Sequence, residues 1–488
     1  MISLEKKKPT HSFQLTNEIV SKGSGVFLWV VIVVSNLLIG LRNRDDISDL
    51  RKRLLIFPAG LEKLYTHMLD QVRVFFQGRA FCTFQIFRVL LGMGGEELMV
   101  LLFIDVAITS TLETAITATF DPIDPEEVQK KCTHLDWHLK SHCAGLIEIH
   151  NMQHDSERVS YLHRTVQDFV ETGPVQAWIF QRSEADFDPN ISITKSLIIR
   201  MKQVLPSPYR HSSDNNLWQI ALKELEGIML RAEAAENGGM LKTGMKFIEL
   251  LDEADQVGTL FCAQTCEQFV PSKHWTDICK IQPRQGASFL AEAVSYGIRT
   301  YVTTKLAEDN TIMLRSNINN LLLIHAAIPP YGRVLLSSVC LDMIKLLIRF
   351  GVSPNRIWRE RTAWQRILTW IHEYGSGLGV RFLLDWLEIF RVLILSGASL
   401  ETTCVSNHKL DHSGKTSTSH TVLDVIEDIF GKSLPKETVE IFWLVASRRQ
   451  KNSRYELAKI YPEVPTDQVV QGNERGRALS YESGRRKR

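Results

Sequence analysis

The sequence predicts a mainly α-helical, multi-module protein. Three observations carry that expectation. Apolar residues recur at helical spacing through most of the chain, no strand-period run of any length occurs from 190 to 310, and helix–helix–Gly units recur between 319 and 448. The chain has 488 residues, 44% of them hydrophobic and 23% charged, with 28 Gly and 16 Pro. That balance excludes collagen-like, mucin-like and wholly disordered classes, and at roughly 150 residues per domain the length suggests about three domains. The 57 basic residues are nearly matched by 55 acidic ones, which argues against a surface that coats nucleic acid. Basic character concentrates in the tail, where Arg448 to Arg488 holds 11 basic and 5 acidic residues. The 8 cysteines form no dense module, and Met1 to Thr10 is polar and Lys-rich, so a cytoplasmic setting with free thiols is expected.

Taken in order, the first strong element is Gly25 to Leu41, GVFLWVVIVVSNLLIGL, which is free of charge between Lys22 and Arg42. It is shorter than the roughly 20 apolar residues of a span, so a helix buried on all sides in a protein core is expected. The alternative is a protein held in a membrane by a single helix at residues 25–41. Asp46 is placed to cap a short helix carrying Leu50 and Leu54, which Pro58-Ala59-Gly60 ends. Leu61, Leu64, Tyr65, Met68, Leu69 and Val72 then form one face of an amphipathic helix. GLIEI and RVSYLHRTV, separated by a polar stretch, predict a hairpin running into a helix at Thr165–Glu171. From 319 onward, LLLIHAAI with LDMIKLLIRFGVSPN reads as one ankyrin-type unit. LEIFRVLILSGASLE repeats its second half, an insertion falls around 371–381, and TVLDVIEDIF with ETVEIFWLVASRR supplies a further pair.

No catalytic constellation emerges. Gly414-Lys415-Thr416 and Gly431-Lys432-Ser433 each lack the first glycine of a phosphate-gripping loop, since Lys409 and Ile426 occupy its place. Gly92-Met93-Gly94 reaches Glu97 where a third glycine is required, and LMVLLFIDV, ending near Asp105, has no P-loop before it. His372-Glu373 does not continue to a second histidine, so no zinc-protease motif is present. Two clusters offer metal-ligand residue types: His134, His138 and His142 with Cys132 and Cys143, and Cys262, Cys266, His274 and Cys279. Neither has paired zinc-site spacing, so an exposed His-rich helix and buried thiols are expected, with no metal and no cofactor.

Residues GVFLWVVIVVSNLLIGLRNRDDISDLRKRLLIFPAGLEKLYTHMLDQV resemble the helical segment that follows the nucleotide-binding core in fungal NACHT-type signalling ATPases of the STAND class. Gly25, Val26, Phe27, Leu28, Trp29 and Val30, then Pro58, Leu61, Leu64, Tyr65, Met68 and Leu69, stand at the family's positions. FQIFRVLL, then Cys143 to Glu148, then LHRTVQDFVE resemble its winged-helix domain. DFDPNISITKSLIIRMK, SFLAEAVSYGIRTYV and the ankyrin-like units match the region often found downstream. In the family the ATPase core precedes this segment, and about 22 residues stand before it here, so ATP hydrolysis is not carried over. The resemblance implies a winged-helix module whose His163 contacts the β-phosphate of a bound ADP, a cofactor-binding role that requires an ATPase core. The competing reading has His163 satisfying a neighbouring backbone carbonyl, with Val166 and Phe169 as core contacts.

The expected organisation is a helical lid remnant (1–72), a winged-helix-like domain (73–172), a helical domain (173–310), degenerate ankyrin-like repeats (311–448) and a basic, disordered tail (449–488). The expected function is a non-catalytic regulatory module resembling the C-terminal half of such proteins, which act in self/non-self recognition. Its protein partner is expected on 311–448, with an ATPase core or a homologous full-length chain as a further partner. Nucleic acid is not expected as a partner.

Overall fold

The structure, a computed structural model, describes residues 9–72, 74–91, 112–150, 158–184, 187–203, 217–238, 244–265, 275, 288–308, 316–328, 341–358, 360–405 and 419–450. It is mainly α-helical, with three two-stranded antiparallel hairpins among the described residues. The chain divides into two compact units, Met1–Asn215 and Asn216–Arg488. The tail from 451, Gly414-Lys415-Thr416 and the LMVLLFIDV segment lie outside the described residues, as do Gly92-Met93-Gly94 and Glu97.

In the first unit, helices Pro9–Gly23, Phe27–Arg42 and Ile47–Ile56 pack on one another. Asp46 caps the third as its sequence position predicts, accepting the Asp49 amide at 3.0 Å, and Leu50 and Leu54 face inward. Its far end is closed by Lys22, whose ammonium donates to the Leu54 and Leu55 carbonyls at 2.8 and 3.2 Å.

The apolar segment 25–41 differs from expectation in one respect. Its helix buries only Trp29, Ile32, Val33, Leu37 and Gly40, while Phe27, Val31, Leu38 and Ile39 are exposed. One stripe is inside and one is outside, because two neighbouring helices cover only part of its circumference. The indole N–H of Trp29 donates to the Pro58 carbonyl at 2.9 Å, tying the helix to the turn that ends Ile47–Ile56. With 16 residues the helix rises about 24 Å, short of the ~30 Å hydrocarbon core of a bilayer. No helix among the described residues is long and apolar enough to cross a membrane.

The rest of the unit is built around the Val74–Leu91 helix, which packs against Pro125–His142, Gly173–Arg182 and Pro189–Gln203. The predicted hairpin forms from Ile147–His150 and Arg158–Tyr161, with Glu148 opposite Ser160. The expected boundary between residues 172 and 173 therefore falls inside a packed unit. The Pro189–Gln203 helix explains why: every residue from Ser192 to Lys202 is buried, so it is a central element and not part of a separate helical domain.

In the second unit, Leu217–Asn237 packs on Gly244–Thr265, which packs in turn on Arg299–Glu308. Asp252 accepts from the Tyr301 hydroxyl at 2.9 Å and from the Lys305 ammonium at 2.7 Å. Among the described residues, four helix pairs then follow: Phe289–Ser295 with Arg299–Glu308, Ser316–Ala327 with Leu341–Arg349, Ala363–Tyr374 with Val380–Leu395, and Val422–Ile426 with Pro435–Gln450. First helices pack on first helices along the series, and second helices on second helices. The series starts at Phe289, before the expected boundary at 311.

The segment expected as an insertion, around 371–381, is the end of one helix and its turn. Trp364, Ile367, Leu368 and Ile371 give the Ala363–Tyr374 helix a buried face, and Gly375–Gly377 turns the chain into Val380–Leu395. Trp364, Ile367, Leu368 and Ile371 stand at i, i+3, i+4 and i+7, so the helical signal is in the sequence, and an insertion placed around 371–381 cuts across the last turn of this helix. Gly351 and Gly397, the repeated stops, take φ of +90° and +100°, as a glycine closing a helix does. In each, the next amide reaches back: Val352 to the Leu347 carbonyl at 3.1 Å, and Ala398 to that of Leu393 at 2.9 Å. Asn355 then ties one stop to the next, donating to the Gly397 carbonyl at 2.6 Å and accepting the Ser399 amide at 2.8 Å.

Candidate functional site

The residue singled out for nucleotide sensing, His163, stands where the hairpin runs into the Arg164–Val170 helix. Strand Arg158–Tyr161 delivers the chain extended (φ −160°, ψ 156° at His163), and the imidazole closes the helix start. Its Nδ1 accepts the Thr165 amide at 3.1 Å and lies 3.0 Å from the Thr165 hydroxyl. The polarity is the reverse of the carbonyl-satisfying role considered from sequence: the ring is an acceptor, and its partner is an N–H. Because Nδ1 accepts, a neutral ring carries its proton on Nε2. His163 is exposed, whereas Val166 and Phe169 are buried, so the two act as core contacts, as expected.

A second layer supports this cap. The Thr165 hydroxyl is 2.7 Å from the Tyr65 hydroxyl, and Tyr65 is buried in the Leu61–Asp70 helix with its ring 5.5 Å from that of Phe169. Burial raises the Tyr65 phenol above its usual value, and the hydrogen bond to Thr165 works in the opposite direction. Tyr65, Thr165 and His163 thus form one connected group, in which Nδ1 accepts the Thr165 amide and the two hydroxyls share a hydrogen bond that either can donate. The group joins the helix of the L-Y-x-x-M-L motif to the histidine of the L-H-R-T motif across about 100 residues of sequence. The sequence marks Tyr65 as part of an apolar face and of the L-Y-x-x-M-L motif, and says nothing of its hydroxyl. The available signal was that a buried tyrosine needs a partner for its hydroxyl.

The two clusters weighed as metal ligands fare differently. On the Pro125–His142 helix, His138 is buried and meets His142 edge to face with ring centroids 4.1 Å apart, while the Phe76 ring lies 4.2 Å from His142. His134 is exposed, so helical spacing does not bring all three rings into one environment. Cys132 and Cys143 are buried, and burial pushes the Cys143 thiol far above its usual value. Of the second cluster, Cys262 lies on the Gly244–Thr265 helix, and Cys266, His274 and Cys279 lie outside the described residues. Gly431-Lys432-Ser433 occupies a turn in which the Ser433 amide donates to the Phe430 carbonyl at 3.1 Å, so that amide is committed within the chain. A third grouping, His372, His420 and Asp428, escaped the sequence reading because its members come from three separate elements.

Residues 73–212 match the model of a family described as a domain of unknown function (DUF7791). The matched span begins at the Val74–Leu91 helix and takes in the hairpin, His163 and the buried Pro189–Gln203 helix. It crosses the expected boundary at 172, in line with the packing. Among curated proteins and among solved structures, nothing matches the chain.

Proposed function

We propose that the chain is a non-catalytic regulatory and protein-interaction module, resembling the region that follows the ATPase core in fungal NACHT-type signalling proteins and acting in the cytoplasm. The stacked helix pairs of the second unit carry this reading. Pairs repeated in one direction offer an extended surface, and such surfaces serve protein recognition in helical-repeat proteins. In this reading the pairs within 311–448 are degenerate ankyrin-like repeats and hold the partner, and the hairpin with its flanking helices is a winged-helix-like switch. Deleting residues 311–448 is expected to abolish chemical crosslinking to the partner while unit Met1–Asn215 keeps its own unfolding transition. A partner that still crosslinks after the deletion would place recognition elsewhere.

His163 is the sensing residue in the same reading. The chain from Tyr65 through Thr165 supports it by holding Nδ1 as an acceptor, which leaves Nε2–H as the donor available to a phosphate oxygen. With an ATPase core supplied on a second chain, His163→Ala is expected to weaken ADP affinity by about 1.5–3 kcal/mol, the range for a hydrogen bond to a charged group. Calorimetric titration with ADP measures it. Equal affinity with and without the substitution would leave His163 as a helix cap alone.

A further inference from the structure

His372, His420 and Asp428 each bring one ligand atom to within 4.8 Å of the others. They come from three elements of the second unit. His372 is in the last turn of Ala363–Tyr374, His420 is the central residue of strand Ser419–Thr421, and Asp428 is in the π-helical turn Glu427–Gly431. His420 lies directly opposite Cys404 in the Thr403–Val405 and Ser419–Thr421 hairpin. The strand then ends in a capping box between Thr421 and Asp424, which sets the start of the following helix. That helix widens into the π turn one residue before Asp428, and such widenings alter which side chains share a face and recur at functional positions.

Distances and chemistry favour a shared cation. His420 Nδ1 is 3.9 Å from Asp428 Oδ2, too far for a hydrogen bond between them. The His372 and His420 rings are 4.4 Å apart and tilted by 38°. Two ligands of a tetrahedral zinc ion, each at 2.0–2.2 Å from the metal, stand about 3.3–3.6 Å apart. The His420–Asp428 separation exceeds that edge by an amount that rotation of the exposed aspartate can close, and bringing both imidazoles onto one ion requires a turn of a histidine ring as well. Two imidazoles and one carboxylate suit zinc and its first-row neighbours and do not suit calcium or magnesium, which prefer all-oxygen shells. The two histidines are half-buried and Asp428 is exposed, so a water can complete four-coordination from the solvent side.

We propose that His372, His420 and Asp428 form a zinc-binding site that pins the third helix pair to the hairpin and helix that follow it. The ion would cross-link the Ala363–Tyr374 helix to residues on the next pair, so binding is coupled to the order of that part of the stack.

The test uses the full chain without an affinity tag, stripped with a chelator and titrated with zinc chloride by calorimetry. Cobalt(II) absorption reports coordination geometry in parallel. The expected result is one zinc per chain, a tetrahedral cobalt spectrum and a higher melting temperature with zinc. His420→Asn and Asp428→Asn are each expected to weaken binding at least tenfold, and His142→Asn in the first unit is expected to leave it unchanged. Asp428 is exposed, so its substitution does not endanger folding and remains informative if His420→Asn does not fold. No zinc uptake by the wild-type chain overturns the proposal. So does uptake that survives Asp428→Asn undiminished, or uptake lost in His142→Asn.

Discussion

Trp29→Asp is expected to lower the stability of the first unit by several kcal/mol, enough to leave much of it unfolded at 37 °C. Trp29 is fully buried among the first three helices, and its indole N–H holds the Pro58 carbonyl. Truncating a buried tryptophan costs about 3–5 kcal/mol through lost transfer energy and the cavity left behind. The aspartate adds a buried charge without a partner, which places the change in the severe tail of point substitutions. Trp29→Phe separates the two contributions, since it keeps most of the apolar contact and gives up only the hydrogen bond, at about 1–2 kcal/mol. Urea unfolding followed by circular dichroism measures both. A loss below about 1 kcal/mol for Trp29→Asp would mean that this helix is not a packed element of the unit.

Lys202→Met is expected to cost about 3–5 kcal/mol, although methionine matches the lysine stem in length and polarity pattern up to the charge. Lys202 is buried near the end of Pro189–Gln203, and its ammonium donates to the carbonyls of Ala115, Ile116 and Ala118, each at 2.9 Å. These carbonyls close the short helix Leu112–Thr117, whose last turn has acceptors left over, as every helix end does. Three tetrahedral N–H donors converge on three oxygens, and the positive charge sits at the negative end of the helix dipole. Lys202→Arg is expected to rescue little, because a planar fork cannot point three N–H groups at three converging carbonyls. Thermal unfolding of the three proteins decides it: if Lys202→Met melts with wild type, or Lys202→Arg is fully stable, the ammonium is not the element that seats this helix.

Much of the local structure was legible. Asp46 as a cap, the proline–glycine stop after it, the Leu64–Tyr65–Met68–Leu69 face and the hairpin ahead of the Arg164–Val170 helix all follow from short-range rules. Each depends on residues within a few positions of one another, where spacing and capping chemistry are written in the chain itself. The Ala363–Tyr374 helix has regular apolar spacing of its own, but an insertion placed around 371–381 cuts across its last turn. Only its packing on Ser316–Ala327 makes it the first helix of a regular pair. Where the series of packed helix pairs begins is likewise decided by packing. Phe289–Ser295 is a short helix with no long-range signature until its neighbour is placed beside it.

The candidate sites divide along the same line. His163 was singled out through a motif, and its place at the strand–helix junction is local. Its polarity was not, since whether an imbalance of donors or acceptors meets the ring depends on the geometry of the turn, which here presents the Thr165 amide. By itself the sequence determined the helical class, the caps and stops of individual elements, the hairpin, and which residue types need company once buried (tyrosine, tryptophan, histidine), but not that they are buried. Tertiary structure decided which company each keeps. Thr165 reaches Tyr65, three carbonyls surround Lys202, and His372 meets His420 and Asp428 only because helix pairs stack and a π turn shifts one side chain round its helix. The reason is physical. Propensity and capping act over one or two turns, whereas the partner of a buried polar group is chosen by chain segments brought together when the apolar faces are buried.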